Sequence, residues 1–228
     1  MKIKYETKNK TADMAFFRIV YLVFYRTLAL WIYRKSVKGF WDNLAWLLFP
    51  LIYIFLTKDF KGVGLTKENF IKAIIGMLVV VIAYSMIRNF LIVFFPFSIQ
   101  YIAASALTVA ELLKQGYFGN ISGPFTKLFP IMFFITFLAA ISNELFYRGF
   151  LFNRLKQFMS WKTAVLVSAL LFGIYHYLNV GFSGFIMGFI VSIISGLLMQ
   201  KYKNIIAPAL FHFIQYIITI LVFYYYVL

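Results

Sequence analysis

Apolar stretches long enough to cross a bilayer follow one another through nearly the whole chain, and this constrains the fold more than any other feature. A hydrocarbon core about 30 Å thick is crossed by about 20 mostly apolar helical residues. Such stretches lie at about 15–33, 41–56, 70–97, 98–113, 129–152, 162–178, 180–200 and 204–227. The first carries Arg18 and Arg26 and also suits a helix lying along the interface. The short fourth, with Glu111, also suits a re-entrant or amphipathic segment. The expected fold is all-α, a polytopic transmembrane helical bundle of about seven or eight spans. With 63% of the 228 residues hydrophobic and only 13% charged, a soluble domain could not hide the apolar surface.

The formal net charge of +15 does not point to nucleic acid, because Lys and Arg sit mainly at the N-terminus and in short joints between apolar runs. That pattern suits anionic lipid headgroups. The joints 154–162 and 201–203 are separated by two spans and therefore share a side; both are basic, which places them in the cytoplasm. Cysteine is absent, which excludes disulfides, thiolate catalysis and Cys-ligated metal. The basic N-terminus leads into an apolar run without a small-residue cleavage site, so targeting is expected through retained spans. The expected location is the cell membrane, as a multi-pass protein with lipids as partners.

Two histidines and seven acidic residues make a short inventory of acid–base groups. Glu144, His176 and His212 each stand within a separate apolar run of the C-terminal half. A buried carboxylate is costly, and ionisable groups at membrane depth usually face a bundle interior or a wet cavity. If 129–157 and 162–178 form a hairpin turning near Ser160, Glu144 and His176 are about equally far from the turn and can meet at one depth. His212 starts nearer its own basic turn, so levelling it with them needs tilt, a kink or a short loop. A catalytic-type cavity is therefore expected among the last four helices. Arg148, four residues after Glu144, is placed to pair with it.

Gly184, Gly188, Ser192 and Gly196 recur at i, i+4 along one run. Small-residue faces of this kind serve internal helix packing far more often than dimerisation. Arg88, in a long apolar run, is read as snorkelling to an interface, the alternatives being a partnership with Glu111 or a place in the cavity wall.

Asn143-Glu144-Leu145-Phe146-Tyr147-Arg148-Gly149 resembles the EExxxRG motif of the CAAX-protease and bacteriocin-processing (CPBP, Abi) family of intramembrane proteases. Phe172 to His176 is similar to its FxxxH motif, and Pro208 to His212 to the approach to its last histidine. Order and spacing agree over residues 125–228, which the resemblance makes a CAAX-protease-like core behind an N-terminal transmembrane region, 1–124. It implies an intramembrane endopeptidase that hydrolyses a peptide bond in a membrane-associated or lipidated peptide. The implied catalytic residues are Glu144, His176 and His212, supported by Asn143, Arg148, Phe172, Gln215 and Tyr216. In the family the glutamate and first histidine activate water, and the last histidine with a following Asn or Asp stabilises the oxyanion. Glu144, His176 and His212 are also a conceivable zinc set. Two positions depart from the pattern: Asn143 replaces the first glutamate, and Tyr216, beside Gln215, replaces the Asn or Asp. Asparagine cannot hold a proton at neutral pH. The alternative expectation is a catalytically silent member that binds a bacteriocin, a peptide pheromone or a partner protein. A small transporter would also use intramembrane Glu and His, but the motif order does not call for one.

Overall fold

The computed structural model describes residues 38–94 and 125–227, and among them every regular element is helical. Compact packing divides the chain into 1–38, outside the described residues but for Lys38, and Gly39–Leu228. The expected runs at 15–33 and 98–113 lie outside the described residues, as does Glu111. The described helices are α1 (Lys38–Thr57), α2 (Phe70–Phe94), α3 (Phe125–Glu144), α4 (Trp161–Val180), α5 (Phe182–Tyr202) and α6 (Ile206–Val227). Within them Phe70–Arg88, Trp161–Leu178 and Phe182–Tyr202 are long and apolar enough to cross a membrane, and Ile206–Leu221 is a shorter apolar stretch.

The run read as one span at 129–152 is not a single α-helix. After Glu144 the backbone widens into a π-helical segment, Leu145–Phe152, followed by one α-turn, Asn153–Leu155. A π-helix moves the hydrogen bonds out of α register, and such segments are frequent at functional sites. Here Asn153 ties the segment down: its Nδ2 donates to the carbonyls of Arg148 (3.2 Å), Gly149 (2.9 Å) and Gly62 (2.7 Å). Gly149 is needed because a Cβ there would come 2.9 Å from the Val63 carbonyl oxygen.

Ser160 ends the joint as expected, capping α4 by accepting from the Thr163 N–H at 3.2 Å. Gly181 turns the chain between α4 and α5 at φ +79°, a left-handed conformation that glycine adopts freely. The small-residue face of α5 lies inside the protein. A Cβ at Gly188 would meet the His176 ring, and one at Gly196 would meet Val165.

Helix α6 packs against α2, α3 and α5, so α2, from the N-terminal side of residue 124, belongs to the wall around the motif-bearing helices. Its Ala73, Met77, Val81 and Tyr84 join Met187, Val191, Leu198, Ala207 and Phe211 in one core cluster. Outward, Ile71, Val79, Ile82, Met86 and Phe90 of α2 are exposed apolar side chains suited to lipid tails. The loop before α2 docks on the turn before α6. Asn204 donates to the carbonyls of Thr66 (2.7 Å) and Glu68 (3.0 Å), accepts from the Ile206 N–H at 2.9 Å, and so caps α6. Ile205 N–H donates to Gly64 O at 3.0 Å. Three basic joints, 58–72, 153–162 and 201–205, thereby meet at one end of the bundle.

Candidate active site

Glu144, the last residue of α3, is fully buried, and among the described residues its carboxylate meets Arg148, His212 and Ser195. Its Oε1 lies 2.8 Å from His212 Nδ1 and accepts from Ser195 Oγ at 3.3 Å. Its Oε2 lies 3.1 Å from Arg148 Nε, an ion pair rather than an aligned hydrogen bond. Arg148, equally buried, sets its guanidinium 4.8 Å from the Phe172 ring centre and 5.8 Å from that of Tyr147. Facing aromatic rings stabilise a desolvated cation. No hydrogen bond reaches either terminal nitrogen of Arg148 among the described residues.

The expected i, i+4 pair of Glu144 with Arg148 is present, whereas the meeting of Glu144 with His176 is replaced by one with His212. The π segment explains the difference. Helix α4 packs against Leu145–Phe152 while α3 itself packs against α6. Tyr147 and Arg148 therefore face Phe172 of α4, and Glu144 faces His212 of α6. The Asn204 cap starts α6 directly after a short turn, which brings His212 to the depth of Glu144.

His176 nevertheless shares a chamber with His212. A cavity of about 20 Å³ is lined by Arg88, His176, Gly188, His212, Gln215 and Tyr216, among others. That volume admits about one water molecule, provided polar groups surround it. His176 Nε2 is buried without a hydrogen-bond partner among the described residues. Phe172 wedges between the histidines, 4.5 Å from the His176 ring centre and 5.5 Å from that of His212, and the Tyr216 ring lies 4.6 Å from His212.

Arg88 does not snorkel. It is buried on α2, lines the cavity, and donates from one terminal nitrogen to Gln215 Oε1 (3.2 Å) and Thr219 Oγ1 (3.3 Å). The sequence signal was Arg88 alone in a long apolar run; its partners 127 and 131 residues away could not be read from local pattern. Ser195 and Asn153 were also missed, being common polar residues whose roles arise only from tertiary contact. Asn143 is buried next to Glu144, and its Oδ1 has no hydrogen-bond partner among the described residues.

The zinc set is not formed in this arrangement. Among the described residues no three His, Cys, Asp or Glu side chains are gathered as ligands. Arg148 beside Glu144 Oε2 also sets a positive charge where a dication would need the carboxylate.

A carboxylate on one imidazole nitrogen fixes the proton there and leaves the other nitrogen as an acceptor. Glu144 on His212 Nδ1 thus leaves Nε2 as the basic atom of a residue that lines the cavity. Such a dyad can activate water.

The width of the chamber rests on Gly188. Gly188→Ala would put a Cβ about 2.9–3.0 Å from the ring and Cβ of His176. Overpacking of this kind costs about 1–3 kcal/mol. Thermal unfolding in detergent is expected to show that loss, and an unchanged midpoint would mean that α4 and α5 stand further apart at this level.

The family model described as Rce1-like, type II CAAX prenyl endopeptidase Rce1-like, matches residues 125–218, the part that carries Glu144, His176 and His212. The resemblance read from the motifs is borne out over that segment. Neither the comparison with curated proteins nor that with solved structures finds a match.

Proposed function

Residues 125–218 are an Rce1-like segment, of a membrane-embedded family, and from that premise we propose that the chain is an intramembrane endopeptidase, multi-pass in the cell membrane. It hydrolyses a peptide bond in a membrane-associated or lipidated peptide. The observation that carries this reading is the buried Glu144–His212 pair beside a water-sized cavity that also contains His176.

In this reading His212 Nε2 takes a proton from water as its oxygen attacks the scissile carbonyl carbon. Glu144 stabilises the imidazolium through Nδ1–H, a charge-assisted bond in a dry site. Gln215 and Tyr216 line the same cavity and can donate to the developing oxyanion, while Arg88 orients Gln215 through its Oε1. The C–N bond then breaks, the proton passes from His212 to the leaving amine, and a carboxylate and an amine result. Asn143 has no proton-transfer role here, since the base is moved to His212.

A second reading, a proteolytically silent binding protein, draws on Asn143 at the family's glutamate position and on the engagement of both Glu144 oxygens by Arg148, His212 and Ser195. Proteoliposomes carrying the protein and prenylated or otherwise membrane-anchored peptides, analysed by mass spectrometry in ¹⁸O-labelled water, separate the two. The peptidase reading predicts a defined cut with one labelled oxygen in the new carboxylate. Peptide capture without cleavage, persisting in Glu144→Gln, would establish the silent one instead.

A further inference from the structure

At the basic end of the bundle a cleft of about 340 Å³ opens between the loop after α1, the π segment with its following turn, and the C-terminus of α5. Among the described residues its charged lining is four cations, Lys61, Arg154, Lys156 and Lys203, against one carboxylate, Asp59. Asp59 is engaged locally, with Oδ1 accepting the Gly62 N–H at 2.8 Å, and Lys61 is paired with Glu68 at 2.7 Å. Lys156, whose ammonium lies 4.7 Å from the Phe152 ring centre, and Lys203 are not compensated by a carboxylate among the described residues. Both ammonium groups point at one neutral acceptor, Gln200 Oε1, at 3.5 and 2.8 Å, and neither has an ion pair with a carboxylate among the described residues. Two cations crowded on one amide oxygen, beside an open cleft, leave room for an anion that would relieve their repulsion. Val63, Phe150 and Met199 give the same cleft an apolar wall.

We propose that this cleft binds a phosphate group between Lys156, Lys203 and Arg154, and that the apolar wall suits it to the headgroup of an anionic membrane lipid. Basic pockets between helices at the cytoplasmic face commonly hold such headgroups. The site lies outside the Glu144–His212 chamber and does not rest on the peptidase reading.

Half-burial and the neighbouring Lys203 push the Lys156 ammonium down to about 8. Arg154, Lys203, Lys61 and Asp59 are the charged groups that share its cleft. A phosphodiester favours the protonated lysine, so affinity falls as pH rises through about 8 and is retained below it.

The test is binding of phosphatidylglycerol, phosphatidylcholine and inorganic phosphate to the delipidated full-length protein in detergent, followed by native mass spectrometry and thermal shift. Phosphatidylglycerol is expected to bind and stabilise, and phosphatidylcholine not. Lys156→Gln with Lys203→Gln should weaken it about 25-fold, roughly fivefold for each cation removed. Lys162→Gln with Lys201→Gln, which removes the same charge outside the cleft, should leave binding within about twofold. Equal weakening by both pairs would reduce the effect to general surface charge and overturn the site. Inorganic phosphate binding as tightly as the lipid, and lost in the same cleft pair, would keep the phosphate site and assign it to a free ion. No phosphatidylglycerol preference and no phosphate binding would refute it.

Discussion

Glu144→Ala is expected to destabilise the protein by about 3–5 kcal/mol, the cost of breaking a buried ion pair from one side. The fully buried Arg148 would keep its charge and lose the Glu144 carboxylate, leaving the Phe172 and Tyr147 rings beside it. His212 Nδ1 and Ser195 Oγ would lose their acceptor as well. Glu144→Gln preserves shape and an acceptor oxygen and should cost roughly half as much. The double variant Glu144→Gln, Arg148→Met removes both charges, and replacing a whole buried pair is often close to neutral. Its loss should therefore be smaller than the sum of the single losses by at least about 1 kcal/mol. Denaturant unfolding in detergent micelles measures wild type, Glu144→Ala, Glu144→Gln, Arg148→Met and the double variant. Additive single losses would show that the two groups are not coupled.

His212→Ala should lower kcat/KM for a cleaved peptide by about 10²–10⁴-fold, the usual contribution of a positioned general base. The loss must come without a comparable fall in the unfolding midpoint, because alanine leaves Glu144 still paired with Arg148. Gln215→Ala is expected to cost less, since Tyr216 also lines the cavity and can donate to the oxyanion. Turnover equal to wild type in His212→Ala would remove this residue from the chemistry.

The helices were legible because apolar run length is a local property. The runs read at about 162–178, 180–200 and 204–227 became Trp161–Val180, Phe182–Tyr202 and Ile206–Val227, and the turn placed near Ser160 lies where Ser160 caps the next helix. The candidate residues were legible as well, since Glu and His are expensive in apolar sequence. Their partners were not. A π-helical segment has no distinct apolar period, so the widening after Glu144 was invisible, and with it the choice of His212 over His176. Arg88 with Gln215 and Asn204 with Thr66 join residues more than a hundred positions apart. Such contacts depend on which helices become neighbours. Lys156 and Lys203 read as interfacial charges until folding brought both onto Gln200.

In the proposed mechanism Glu144 holds the His212 proton on Nδ1 and keeps Nε2 free to take one from water. Solid-state ¹⁵N spectra of histidine-labelled protein in lipid, assigned with His176→Ala, test it directly. The expected spectrum is that of a His212 ring protonated at Nδ1, with Nε2 as a bare acceptor. A ring protonated at Nε2, alone or together with Nδ1, would contradict it.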